Sequence, residues 1–224
     1  MRLPLFPLGT VLLPGAALPL HVFEPRYRQL TVDLLSGEVP DRTFGVVAIR
    51  QGWEVGADGA ESLHEVGCSA VLDDARRLPD GRFDLDTTGG RRFRLLDVDD
   101  TAAPYRIGEI EWLPDTAEPP GMADVLPRLV DSARAAHGRY RAAAGDHPSR
   151  GGPDAAIPPH ELAYALAADC VLTAEDRQLL LEETSASRRL RLVRTVLHRE
   201  AGILTALNAI PAPLSELGHL PHHN

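Results

Sequence analysis

The hydrophobic pattern of this chain changes period once, near residue 115, and that switch constrains the fold more than any motif. Before it, apolar residues alternate in short stretches between turn signals; after it, they recur at three- and four-residue spacing. Phe44-Gly45-Val46-Val47-Ala48-Ile49 is a β-type run, and Arg82-Phe83-Asp84-Leu85-Asp86 alternates as a half-buried strand does. Asp80-Gly81 marks a hairpin turn before it. Gly89-Gly90 reads as a second turn, with residues 91–98 as the return strand. Residues 106–113 form another strand, with Gly108 the place for a bulge. Short strands so closely spaced indicate a small closed or nearly closed sheet. One helix interrupts it: Pro25 suits a first turn, Tyr27, Leu30, Leu34 and Leu35 share a face, and Gly37 ends the run.

The second half reads as helices. Residues 122–143 form one despite Pro127, 160–171 a short second, and a third runs from a Thr173 cap to about 183, with Asp176 completing a capping box. Ser185 or Ser187 caps the last helix, on which Leu190, Val193, Leu197, Leu204 and Leu207 recur until Pro211 and Pro213 stop it. The expected fold class is α+β: a β-rich lobe with one helix over 1–115, then a helical lobe over 119–210. A flexible segment at 145–159 lies inside the helical lobe, and 211–224 is a loose tail. The Pro-rich stretch 114–121 is the lobe boundary.

Composition removes several function classes. All 23 basic residues are arginine, so the chain has no lysine for a phosphate loop, a Ser–Lys dyad or a Schiff base. The formal net charge is −9, and residues 1–115 hold 12 Arg against 19 acids, which argues against a nucleic-acid footprint. No apolar run reaches the ~18–20 residues of a membrane span, and Pro4, Pro7 and Pro14 break up a signal-like start. The two cysteines, Cys68 and Cys170, give neither a disulfide framework nor metal spacing, and they fit a cytoplasmic location.

The candidate chemical motifs have plainer readings. His160-Glu161 opens like a zinc-protease helix, but Tyr164 stands where the second ligand belongs. His219, His222 and His223 lie in the tail without converging acids. Gly67-Cys68-Ser69 lacks the second glycine of a nucleophile elbow, although His21 and His64 are available as bases for a small Cys/His enzyme. Arg91, Arg92 and Arg94 interleave with Phe93 as an RNA-stacking strand would, yet neighbouring aspartates suggest cross-strand Arg–Asp pairs on a solvated face. No catalytic residue, metal or cofactor site is assigned.

The opening segment is more specific. Leu5-Phe6-Pro7-Leu8, Val11, Leu13-Pro14-Gly15 and Leu18-Pro19-Leu20-His21-Val22-Phe23-Glu24-Pro25-Arg26-Tyr27 resemble the start of the Lon protease substrate-binding domain. Gly90-Arg91-Arg92-Phe93-Arg94-Leu95 is similar to a later strand of that family, and the helical pattern also matches, so the resemblance covers about residues 2–208. It implies paired opening strands, a Pro-Gly turn, a PUA-like pseudo-barrel and a C-terminal helical bundle. Full Lon proteases continue into ATPase and Ser–Lys peptidase parts, which a lysine-free chain cannot serve. The resemblance therefore implies a non-catalytic module binding unfolded or degron-bearing polypeptides, in concert with a protease or chaperone. Phe6, Leu13, Pro14, Leu20, Phe23, Glu24, Arg26 and Tyr27 are its candidate contact or lobe-defining residues. RNA binding by a PUA-like barrel is the alternative function.

Overall fold

The computed structural model describes residues 1–50, 63–145 and 152–207. The chain is a mixed α+β protein that divides into two compact units, Met1–Asp115 with Arg177–Thr184, and Thr116–Asp176 with Ser185–Asn224.

The first unit contains strands β1 (Arg2–Leu8) and β2 (Leu20–Val22), helix α1 (Pro25–Ser36), a 3-10 turn at Pro40–Arg42, and strands β3 (Thr43–Ala48), β4 (Val66–Arg77), β5 (Phe83–Asp99) and β6 (Ile107–Trp112). Strand order is β2-β5-β4-β3-β1-β6, and β6 returns to pair with β5, so five strands close a ring and β2 attaches outside it. The opening strands do not pair with each other as expected. β1 runs parallel to β3 and antiparallel to β6, whereas β2 pairs with β5. β2 is therefore an edge strand, which suits Pro19 just before it.

Two glycine readings need correction. Gly89-Gly90 is no turn, because β5 passes through both as one 17-residue strand. The glycines serve close approach instead. Leu13-Pro14-Gly15-Ala16 forms a turn with Ala16 N–H donating to Leu13 O at 3.1 Å and Gly15 at φ 75°, the type II pattern of Pro then Gly. That turn docks on Gly89, which exchanges backbone hydrogen bonds of 2.8 Å with Gly15 and Ala16. A Cβ on Gly89 would run into the Leu13 carbonyl. Nor does Gly108 make a bulge; the register shift lies on β5 between Leu95 and Asp97. A Cβ on Gly108 would meet Leu5 and Leu95 at 2.9 Å, so it makes room for the core. Asp80-Gly81 does turn the β4–β5 hairpin, with Gly81 at φ 79°.

The barrel core gathers Leu3, Leu5, Val47, Leu63, Phe93 and Ile110. Phe93 is fully buried, and its Cζ lies 2.5 Å from where a Gly67 Cβ would stand and 2.9 Å from a Gly45 Cβ. Of the basic cluster around it, Arg91 and Arg94 are exposed, as expected of a solvated face, but Arg92 is buried. The Arg92 side chain is 4% exposed and donates to Leu181 O at 3.0 Å, Glu183 O at 2.9 Å and the Asp115 carboxylate. It closes off the carbonyl end of helix α4 (Ala174–Glu182), where the negative end of the helix dipole favours a cation. Gln178 of the same segment donates to Val66 O at 3.0 Å.

In the second unit, α2 (Met122–Ala143), α3 (Pro159–Ala168) and α5 (Ala186–Leu207) pack through Leu129, Ala133 and Tyr140, Leu162 and Leu166, and Leu190, Val193 and Leu197. Pro127 falls in the second turn of α2 and does not interrupt it. Thr173 Oγ1 caps α4 by accepting Asp176 N–H at 3.1 Å, and its hydroxyl bonds the Asp176 carboxylate at 2.9 Å. For α5, the Glu118 carboxylate accepts Ser187 N–H at 2.8 Å, and Ser185 Oγ accepts Arg188 N–H at 3.3 Å. Arg189 is fully buried, with its guanidinium 4.3 Å from the Tyr164 ring centroid and donating to His160 O at 2.6 Å. Of the expected flexible segment, 146–151 lies outside the described residues, as do the tail from 208 onward and its three histidines. Pro153 and Asp154 are held by Arg134, which donates to their carbonyls at 2.8 and 2.7 Å.

These packings set a paired expectation for urea unfolding. Gly89→Ala loses about 2 kcal/mol or more, because backbone must move away from the new methyl. Gly138→Ala, in α2 with no atom within 4 Å of the added Cβ, gains about 0.5–1 kcal/mol. Equal stability of the two variants would contradict this account of the crossing.

Candidate polypeptide-binding groove

The opening segment builds a groove in the first unit from three pieces: the end of β1, all of β2 and the first turn of α1. Its floor is aromatic. The Phe6 ring stacks on Tyr27, with centroids 3.9 Å apart and planes 13° from parallel, and Phe44 lies 6.0 Å from Phe6. Both Phe6 and Tyr27 are buried. The Arg26 guanidinium lies 4.6 Å from the Tyr27 ring centroid, and its Nε donates to Glu24 Oε2 at 2.9 Å. Glu24 sits at the N-cap of α1 in extended conformation but does not cap it through its side chain, so its carboxylate serves Arg26 instead. These contacts fix the ring that forms the floor.

The walls are apolar: Pro7 and Leu8 on one side, Pro19, Leu20 and Val22 on the other, around a cavity of about 220 Å³. Phe23 stands at the rim, 56% exposed. Several large apolar side chains of this chain are exposed, and Phe23 is the one that adjoins this cleft. His21 closes the polar side. Its Nδ1 lies 2.7 Å from Asp84 Oδ1, and Arg82 lies 3.2 Å from Nε2. Arginine can only donate, so Nε2 accepts and Nδ1 carries the proton given to Asp84. Hydrogen bonds from His21 and then Arg76 hold the Asp84 carboxyl below the usual carboxylate range. The groove therefore presents apolar surface with its charges already paired at the margins.

Five of the eight candidate residues, Phe6, Leu20, Phe23, Glu24 and Tyr27, line this groove, and Arg26 backs its floor. Leu13 and Pro14 are elsewhere, in the turn on Gly89. Pro7, Leu8, Pro19, His21 and Val22 complete the lining and were not singled out, although all lie within the same opening motif.

The groove holds His21 of the Cys/His reading but not its thiol. Cys68 lies on β4 with no exposed surface, and burial pushes its thiol up to about 12, far from a thiolate at neutral pH. Among the described residues no three His, Cys, Asp or Glu side chains converge on a metal-sized space. No described helix is long and apolar enough to cross a membrane. Phe93, the ring expected to stack on a base under the RNA reading, is fully buried.

The first unit is a closed β-ring carrying an apolar cleft, and the second is helical. The chain belongs to the ATP-dependent protease La (LON) substrate-binding domain family, whose pattern it matches over residues 2–199. It is 31% identical over 206 residues to Lon protease 1 of Thermus thermophilus, an alignment covering 89% of this chain and 25% of that protein. The crystal structure of a Lon N-terminal domain protein from Xanthomonas campestris shares 26% identity, with a TM-score of 0.57 over 94% of this chain and 99% of that one. The N-terminal domain of Mycobacterium avium complex Lon protease, 16% identical, shares the fold with a TM-score of 0.62 over 88% of this chain and 98% of that one. The chain spans about a quarter of the length of the curated relatives it matches.

Alkylation tests the state of Cys68. In the folded protein at about pH 8 the thiol stays unlabelled by iodoacetamide and becomes labelled only on unfolding. Labelling of the native protein at Cys68 at the rate of a free thiol, read by mass spectrometry, would contradict its burial.

Proposed function

We propose that this chain is a non-catalytic polypeptide-binding module that captures an extended, unfolded or degron-bearing segment in the groove along β2. The single observation that supports this most is the exposed Phe23 over a cleft floored by Phe6 and Tyr27, beside a strand whose outer edge pairs with no other strand among the described residues. Leu18 N–H donates to Thr87 O, so by alternation Leu18, Leu20 and Val22 face β5 while Pro19 and His21 face outward. Pro19 has no N–H, which leaves His21 to offer both backbone groups to an added strand. An extended client pairs there through its main chain and places an apolar side chain in the cleft. Main-chain pairing is indifferent to client sequence, which suits a binder of many unfolded chains. Membership of a substrate-binding family supports the same reading. In the cell the module acts in the cytoplasm as an adaptor, passing its client to a protease or chaperone.

The test is a fluorescence-anisotropy titration with a permanently unfolded, carboxymethylated protein. Saturable binding on the order of micromolar is expected. Phe23→Asp weakens it by about tenfold or more, since a carboxylate replaces the rim's apolar contact, while the melting temperature stays unchanged. Absence of binding by the wild-type chain, or full binding by Phe23→Asp, removes this reading.

A further inference from the structure

Among the described residues, the second unit carries arginines on α2 and α5 that form no ion pair. On α2, Arg128, Ser132 and Arg139 lie on one side of the helix, within about 40° of one another at 3.6 residues per turn. On α5, Arg191, Arg194 and His198 share a side, within about 60° of one another. Contacts bring these two sides together: Arg139 Nη2 reaches His198 Nε2 at 2.9 Å, Arg194 Nη1 reaches Ser132 Oγ at 3.5 Å, and Arg191 Nη2 reaches Met122 Sδ at 3.9 Å. The result is a seam in which Arg139, Arg191 and Arg194 meet the facing helix, with Arg128 on the same side of α2.

None of the four makes an ion pair among the described residues, whereas Arg26, Arg92, Arg106 and Arg199 each have a carboxylate within 3 Å. The seam arginines reach a histidine nitrogen, a hydroxyl and a thioether instead. The acids nearby are few. Glu200, the only acid on α5, is held by Arg199 at 2.8 Å, and Glu118 is occupied at the α5 N-terminus. Asp124 and Asp131 stand four residues before and three after Arg128, neighbouring positions on α2, and neither forms an ion pair with it among the described residues. On a chain of formal charge −9, this concentrates positive charge on one helical face. Like charges so gathered repel, and an anionic partner relieves the repulsion while accepting bidentate hydrogen bonds.

The shape argues for which anion. Arg128 to Arg139 spans only about 16 Å of helix. That is short for duplex nucleic acid, which presents an extended phosphate field. At the end of the seam, Arg139 and His198 stand at the mouth of an open cleft of about 900 Å³ between the helices, walled by Ala142, Ala143, Ala201 and Gly202. Carboxylates on the seam with small apolar side chains in the cleft describe an acidic peptide. We propose that the α2–α5 seam docks an acidic segment of a partner polypeptide, its carboxylates pairing with Arg128, Arg139, Arg191 and Arg194. This goes beyond the groove reading and stands in the other unit, so the two fail separately.

The experiment titrates the full chain into a labelled Asp/Glu- and Ala-containing peptide and follows anisotropy. Saturable binding is expected, weakening by about tenfold between about 0.03 M and 0.3 M salt. Arg139→Glu with Arg194→Glu abolishes it, whereas Arg77→Glu on an exposed position of β4 and Phe23→Asp in the groove leave it unchanged. The neutral pair Arg139→Gln with Arg194→Gln, melting at the wild-type temperature, shows the same direction of loss and separates charge from folding. Equal binding of a Gln-for-Glu, Asn-for-Asp peptide overturns the proposal, as does undiminished binding by either double variant. A single-stranded oligonucleotide of equal charge that binds more tightly than the peptide also overturns it, in favour of a nucleic-acid surface.

Discussion

Phe93 is the point at which the ring of strands closes. It pairs with Gly67 on one side and Trp112 on the other, so a single residue of β5 carries both neighbours of the closed sheet. A phenyl ring can occupy the centre of so small a ring only if the strands opposite give up their side chains, which Gly67 and Gly45 do. Arg92, its neighbour, points to the other face and fixes the carbonyl end of α4 together with Asp115. One dipeptide thus supplies the apolar centre of the first unit and one of its buried cations. A buried guanidinium without its carbonyl and carboxylate partners costs several kcal/mol, which commits this part of α4 to the barrel.

The opening segment depends on that closure. Its Pro-Gly turn docks on Gly89 of the same long strand, and β2 then adds to the free side of β5. The groove is what remains between an edge strand that cannot join the ring and a first strand already paired elsewhere. The stacked pair of Phe6 and Tyr27 fills the bottom of that gap, and Phe23 is left at its rim. The proposed client-binding face is therefore a by-product of topology: a three-residue strand one place outside a closed sheet keeps one edge available for pairing.

Much of this was legible in the residues. The helices were readable because apolar periodicity, the Gly37 C-cap and the Thr173 N-cap are local signals that tertiary packing did not override. The groove was partly legible because most of its lining falls in one continuous motif. What misled were signals with two physical causes. Adjacent glycines at 89 and 90 are equally the mark of a turn and of a close backbone approach, and only the position of Leu13 distinguishes them. An Arg-rich strand among aspartates reads as a solvated face until one of those arginines meets helix carbonyls from 89 residues away.

The sequence by itself determined the helices and several of the strands, where most of the chain's caps fall, and that no lysine is present for lysine-dependent chemistry, because each of these depends on residue type and near neighbours. The tertiary structure alone decided which strands pair, that β5 is one strand and not two, that Arg92 is buried, and that arginines from α2 and α5 share an unneutralised seam. Those facts arise from contacts between positions far apart in the chain. Whether a charge is answered or a glycine is a hinge is set by what the fold brings beside it, and no local pattern encodes that.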